Sequence, residues 1–172
     1  MDKIVFITGA SSGIGAGCAR KFASQGASLI LNARNVNKLS ALKEELEKQY
    51  GAKIYLLPFD VRDRKAATSA LESLPKEWQS IDILVNNAGL VIGTDKEQEG
   101  SLDEWDIVID TNIKALLAMT RLIVPGMVER KRGHIINIGS IAGDAAYPGG
   151  SVYCATKAAA KALSDGLRID LV

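Results

Sequence analysis

Side chains that bind metals or form disulfides are scarce in this 172-residue chain, which has one histidine, His134, and two cysteines, Cys18 and Cys154. The cysteines show neither metal-ligand nor disulfide spacing, a pattern suited to a reducing cytosol. Cys154 reads as a packed thiol. His134 precedes the apolar run Ile135-Ile136-Asn137-Ile138 and reads as a strand-edge residue, neither ligand nor catalyst. An excess of one charge is missing too: 21 basic residues face 20 acidic ones, a net of +1, and the basic ones are scattered. That excludes the clustered cationic footprint of a nucleic-acid binder and the polybasic patch of a membrane-surface protein. No apolar run approaches the roughly 20 residues needed to cross a bilayer. The N-terminus opens directly into the apolar stretch Ile4–Ile7 without a signal-peptide pattern. The expectation is a cytoplasmic protein without a metal, a nucleic-acid partner or a membrane partner.

What the chain does have is alternation. Short apolar runs predict strands at Ile4–Thr8, Ser28–Ala33, Lys53–Phe59, Ile83–Asn86 and His134–Ile138. Between them, amphipathic stretches predict helices at Gly13–Gln25, Asn37–Gln49, Asp63–Leu74 and Leu102–Glu129, with a fifth starting near Ser151. Ser101 followed by Glu104 reads as a capping box, and Gly26 and Gly51 stand where helix-terminating glycines belong. Nearly continuous apolar strands flanked by helices imply a parallel sheet covered on both faces. The expected fold is therefore a doubly wound α/β domain of the Rossmann type, with about five strands in one domain over residues 1–172.

The first strand runs into Thr8-Gly9-Ala10-Ser11-Ser12-Gly13-Ile14-Gly15, and a helix follows. Glycines permit a tight turn and let backbone approach a ligand, and a helix N-terminus offers unpaired N–H groups to a phosphate. The spacing is G-x-x-x-G-x-G, unlike the commoner G-x-G-x-x-G, and no P-loop Gly-Lys-Ser/Thr follows. The position after the first strand favours dinucleotide binding over a turn that serves geometry alone. At the end of the second strand, Asn32-Ala33-Arg34-Asn35 lacks the carboxylate that usually holds a ribose 2′-hydroxyl. Arg34 supplies a guanidinium suited to a phosphate instead, which favours NADP(H) over NAD(H).

Tyr153-Cys154-Ala155-Thr156-Lys157 carries the chemistry. Residues four apart on a helix share one face, so an ammonium at 157 favours the phenolate at 153 and lowers the energy needed for it to act as a base. Alone, a pair at this spacing is usually a solvated helix face.

Together, four motifs in order resemble the short-chain dehydrogenase/reductase family over all 172 residues: TGASSGIG at Thr8–Gly15, NNAG at Asn86–Gly89, Ser140, and YCATK at Tyr153–Lys157. The resemblance implies that Gly9, Ser11, Ser12, Gly13, Ile14 and Gly15 form the pyrophosphate turn, and that Arg34 with Asn35 meets the 2′-phosphate. It implies that Asp60 and Val61 contact the adenine, and that Asn87, Ala88 and Gly89 line the adenosine-ribose and nicotinamide side. The catalytic set it implies is Asn112, Ser140, Tyr153 and Lys157. Tyr153 acts as general base or acid on the reacting oxygen. Lys157 tunes the tyrosine and binds the nicotinamide ribose. Ser140 holds the substrate oxygen, and Asn112 positions a water in the proton relay.

Two further stretches, Ser73–Asn87 and Gly139–Ser151, resemble the branch of NADP-dependent 3-hydroxy acid dehydrogenases, which act on serine and other small 3-hydroxy acids. A 3-oxoacyl-thioester reductase remains the alternative within the family. The sequence stops at Asp170-Leu171-Val172 inside an amphipathic helix, whereas the family continues into two more strands and a loop over the substrate. The expectation is a C-terminally incomplete domain, with an NADP-binding module lacking turnover as the second alternative. The alanine-rich helix at Ala155, Ala158, Ala159, Ala160 and Ala162, together with the family's habit, implies a homo-oligomer, tetramer or dimer.

Overall fold

Strands β1 (Ile4–Ile7), β2 (Ser28–Leu31), β3 (Ile54–Leu56), β4 (Ile83–Asn86) and β5 (His134–Asn137) are parallel and lie in the order β3-β2-β1-β4-β5 in the computed structural model, which describes residues 3–171. The order reverses between β1 and β4, the switch point at which open α/β sheets bind ligands beyond the carboxyl ends of their strands. Helices α1 (Gly13–Ser24), α2 (Val36–Tyr50), α3 (Arg64–Glu72), α4 (Leu102–Ile109), α5 (Ala115–Glu129) and α6 (Ser151–Leu171) complete the frame. β4 matches its predicted run, and the other four strands are shorter than theirs; β3 occupies only Ile54–Leu56 of Lys53–Phe59.

The two-residue period of a strand divides the core. Val5 and Ile7 of β1, with Leu29 and Leu31 of β2, face α1 and α2, whose Ala16, Ala19, Ala23, Leu39, Leu42 and Leu46 are buried. Phe6, Ile30 and Leu84 point the other way, onto Ala67 of α3 and Met119, Ile123, Val124 and Met127 of α5. The small residues of α1 let it approach the sheet closely, and this brings its N-terminus up to the end of β1.

Caps follow local chemistry. Asn35, Asp63 and Ser101 each accept a hydrogen bond from the backbone N–H three residues on, at the starts of α2, α3 and α4. Ser12, at the start of α1, makes no such side-chain cap.

One long helix over Leu102–Glu129 is expected from the sequence, and the structure interrupts it. Asp110–Lys114 forms a turn of π-helix between α4 and α5. Asn112 sits in that turn, buried, with its amide bonded away from the helix. Such bulges recur at functional positions because they re-aim side chains within an otherwise regular helix. Amphipathic periodicity tolerates a single-turn bulge, so the interruption leaves no mark in the pattern. Short 3₁₀ turns at Lys76–Trp78 and Ile141–Gly143 are likewise absent from the sequence reading.

Among the described residues no helix is long and apolar enough to cross a membrane, and no cluster of His, Cys, Asp or Glu could hold a metal ion. Cys154 is buried and Cys18 half-buried, both as free thiols. His134 is the first residue of β5 and is exposed.

Candidate active site

A groove of about 990 Å³ runs across the carboxyl ends of the strands, and most of the residues singled out by motif line it. At one end are Arg34, Asn35, Asp60 and Val61; in the middle lie Gly9, Ser11, Ser12, Gly13 and Ile14; at the other end are Asn87, Ala88, Gly89, Tyr153 and Lys157.

The middle is built by steric necessity. Gly9 and Gly13 have positive φ, at 63° and 53°. A Cβ on Gly9 would come within 2.9 Å of Ala88 Cα and Asn87 Nδ2, and one on Gly15 would collide with the Gly9 carbonyl. Gly15 thus sits beneath the turn, buried, rather than on the groove wall. Asn87 ties this turn to β4: Nδ2 donates to the carbonyls of Thr8 and Gly9, each at 3.0 Å. Thr8 answers through Oγ1, which accepts from the backbone N–H groups of Asn87 and Ala88, also at 3.0 Å. The side chain of Asn87 is therefore engaged with the glycine turn. Thr8, whose motif position gave no hint of this role, is the residue that locks the two strand ends together. The first turn of α1, without a side-chain cap, opens beside this cradle. That is the arrangement a pyrophosphate requires.

The Arg34 end is open and cationic. Arg34 has a side chain two-thirds exposed and reaches Asp60 Oδ2 at 3.9 Å. Asp60 is held far more closely by Arg62, whose Nε and Nη2 donate to both carboxylate oxygens, the shortest contact being 2.6 Å. Hydrogen bonding from the Arg62 side chain, outweighing partial desolvation, holds the Asp60 carboxyl below its ordinary value of 3.8. Arg62 and Lys38 also line the groove, so this end carries three cationic side chains around one acid. Neither was legible from the sequence, because each becomes part of the site only once the sheet has brought β2 and β3 together. Asn35 caps α2 through Oδ1. Buried Asn32 donates to the carbonyls of Leu57 and Phe59, and its Oδ1 has no protein partner.

The far end is half-buried. Tyr153 and Lys157 lie on the same face of α6, with Lys157 Nζ 5.8 Å from the centre of the Tyr153 ring. Lys157 Nζ donates to the carbonyl of Ile138 at 2.9 Å. Burial pushes its pKa below the ordinary 10.5, since desolvation penalises the ammonium. Gly89 lies against this group: a Cβ there would stand 3.6 Å from Lys157 Nζ and 3.3 Å from Asn112 Oδ1.

Asn112, 4% exposed, is fully engaged. Its Oδ1 accepts from the N–H of Leu90, and its Nδ2 donates to the carbonyl of Leu90, both at 2.9 Å. Nδ2 also donates to Thr156 Oγ1 at 3.0 Å. The side chain therefore clamps the loop after β4 to the π-helical turn and to α6.

Ser140 stands three residues beyond β5 and caps the 3₁₀ turn at Ile141–Gly143, its Oγ accepting from the N–H of Ala142 at 3.1 Å. The groove wall takes in Ile138 and Gly139 and stops short of Ser140. Its hydroxyl proton is still free to donate, because the cap uses only a lone pair.

These residues fit a phosphorylated dinucleotide: a cradle with no room for a Cβ at Gly9 or Gly15, an uncapped helix start, a cationic end for an extra phosphate, and a half-buried polar end for the reacting group. Comparison with known proteins agrees. The model of the short chain dehydrogenase family matches residues 3–172. The NADP-dependent 3-hydroxy acid dehydrogenase YdfG of Escherichia coli (strain K12) is 49% identical over 168 residues, covering 98% of this chain and 66% of that protein. Among solved structures, serine dehydrogenase from Escherichia coli superposes with a TM-score of 0.92 at 49% identity, covering 97% of this chain and 76% of that one. The closed form of serine dehydrogenase complexed with NADP+ gives 0.91 at 48%, covering 98% and 66%. The chain thus spans about two thirds of the length of the curated relatives it matches. By motif, by fold and by likeness, the chain belongs to the short chain dehydrogenase family.

Proposed function

We propose that this chain works as an NADP(H)-dependent oxidoreductase on small 3-hydroxy acids, with serine or 3-hydroxypropanoate as the substrates to try first. The observation that carries the reading is the continuity of one groove, from the arginine end through the glycine cradle to Tyr153 and Lys157. The 49% identity to a 3-hydroxy acid dehydrogenase supports the choice of substrate.

In this reading, Gly9, Ser11, Ser12, Gly13 and Ile14 receive the pyrophosphate, and Gly15 keeps the turn tight from below. Arg34, with Lys38 and Arg62 beside it and Asn35 at the start of α2, receives the 2′-phosphate. Asp60 and Val61 border the adenine, and Ala88 and Gly89 border the nicotinamide ribose, with Asn87 holding the cradle shut. The bound nicotinamide supplies the hydride acceptor or donor.

The chain's own groups handle the proton. During oxidation the Tyr153 oxygen takes the hydroxyl proton as the carbinol hydrogen leaves as hydride, and in reduction it returns a proton to the carbonyl oxygen. Lys157, cationic and half-buried against the Ile138 carbonyl, places positive charge beside the phenol. Ser140 donates its remaining hydroxyl proton to the substrate oxygen, where negative charge gathers. Asn112 holds Leu90 so that the loop after β4 keeps its place at the groove wall.

A side-by-side assay tests the reading: NADP(H) with L-serine and 3-hydroxypropanoate in one arm, and with an acetoacetyl thioester in the other. Turnover of the hydroxy acids is the expected result. Turnover confined to the thioester replaces the substrate assignment with a 3-oxoacyl reductase, and NADPH binding without turnover leaves a cofactor-binding module. The free thiols and the lack of a described membrane-spanning helix support a cytoplasmic site of action. Exposed Leu102 and Leu117, with exposed Ala155 and Ala158 on α6, support a homo-oligomer, which light scattering of the purified chain measures directly.

A further inference from the structure

Thr156 lies between the two residues of the tyrosine-lysine pair in sequence, yet its side chain is 1% exposed and points away from solvent into the molecule. Its hydroxyl does two things at once. Oγ1 accepts from Asn112 Nδ2 at 3.0 Å and donates to the backbone carbonyl of Tyr153 at 2.7 Å. A back-bond from a helical threonine to its own helix brings little by itself and slightly weakens the helix. The bond from Asn112 is what gives the buried hydroxyl a purpose. Asn112 spends its other bonds on the N–H and the carbonyl of Leu90. A continuous chain of hydrogen bonds therefore runs from the carbonyl of Tyr153, through Thr156 and Asn112, to the backbone of Leu90 on the groove wall. It joins three elements that sequence separates: α6, the π-helical turn, and the loop after β4.

We propose that Thr156 is a positioning residue. Through Asn112 it fixes Leu90, and with it the loop beside Gly89, relative to the helix that carries Tyr153 and Lys157. Only a hydroxyl serves, because the position must accept from Asn112 and donate to Tyr153 in a site closed to water. Valine has nearly the same shape and can do neither, and it leaves one Asn112 N–H buried without a partner. Serine can do both. The link from this order to turnover rests on the function proposed above; the order itself does not.

Amide hydrogen exchange resolved to residues 88–92 tests the positioning directly on the 172-residue chain. Thr156→Val should speed exchange of the Leu90 amide about tenfold while leaving the β1 and β2 amides unchanged. Thr156→Ser should stay within about threefold of the original chain. Adding Thr156→Val to Asn112→Ala should change exchange at Leu90 no further, because both act through one chain of bonds. Where the valine variant does not fold, Thr156→Ala removes the hydroxyl without a branched side chain and is read the same way. Unchanged exchange at Leu90, a uniform increase across all segments, or additive effects in the double variant would overturn the proposal. In the active enzyme, Thr156→Val should lower kcat about tenfold, with the NADPH dissociation constant within threefold and serine restoring the rate. Faster exchange at Leu90 with kcat untouched would also overturn it. If the original chain turns over no hydroxy or oxo acid, the functional reading fails, and the exchange result still decides the role of Thr156.

Discussion

The two ends of the groove are built on opposite plans. At the Arg34 end, charged side chains stand in solvent or half in it, and they meet through ion pairs that bulk water and salt can reach. At the Tyr153 end, buried polar groups satisfy one another in a fixed order, and the cation among them is held by a backbone carbonyl. An exposed charge attracts a phosphate across several ångströms and tolerates small errors of position. A proton transfer demands reacting atoms within hydrogen-bond reach. The chain invests its buried hydrogen bonds where geometry matters and its exposed charges where attraction suffices.

Substitutions at the two ends should therefore fail differently. Tyr153→Phe keeps the ring and removes the oxygen, and the expected result is a loss of about 10³-fold in kcat with cofactor affinity nearly unchanged. Steady-state kinetics beside an NADPH titration separates the two quantities. The pH profile sharpens the same point. Burial lowers the pKa of Lys157, so the ammonium that serves Tyr153 is lost as pH rises through a value below 10.5. Turnover should decline along that limb. An alkaline limb lying above 10.5 would contradict the half-buried environment of Lys157.

Between the ends, Gly15→Ala tests the shared floor. The new methyl meets the Gly9 carbonyl and sits 2.5 Å from Asn87 Nδ2, and neither backbone nor clamp can give way cheaply. A loss of about 1–3 kcal/mol in stability is expected, or roughly 2–10 °C in Tm, together with weaker cofactor binding. Calorimetry with and without NADPH measures both.

At the open end, Arg34→Ala should raise the NADPH dissociation constant about tenfold, leave NADH nearly alone, and matter less as salt is raised. Equal loss for both nucleotides would remove Arg34 from the phosphate site. The smallest effect belongs to Asp60. Its carboxyl is depressed chiefly by Arg62, so the stabilisation is present above the ordinary 3.8 and fades as pH falls below it toward the lower folded value. Melting of Asp60→Asn and the original chain should differ slightly at pH 6 and converge at low pH. A gap that widens on acidification would reverse the sign.

Local features of this molecule were legible in the sequence because local rules create them. Alternating apolar runs, the glycine turn, Ser101 as the cap of its helix and the Tyr153–Lys157 face all depend on neighbours within a few residues. The parallel pairing agrees with the expected fold, since helical crossovers leave it as the main outcome. What the sequence hid depends on distant partners. Arg62 becomes a groove residue only once the sheet sets β3 beside β2. The clamp that Asn112 makes is visible only through its three bonds to Leu90 and Thr156. The π-helical turn within Leu102–Glu129 is stabilised from outside the helix, by partners whose positions no period reveals.

The clasp between Thr8 and Asn87 has a consequence for the order of folding. Its hydrogen bonds join residues 79 and 80 positions apart, a closure that comes late because so much chain must be confined first. A growing polypeptide carries its entire glycine motif long before Asn87 is synthesised. Until β4 docks beside β1, that motif is a flexible loop with no shape to offer a nucleotide. Cofactor capture is thus a signature of finished assembly, and a nucleotide present during refolding should stabilise only those molecules that have already closed the sheet.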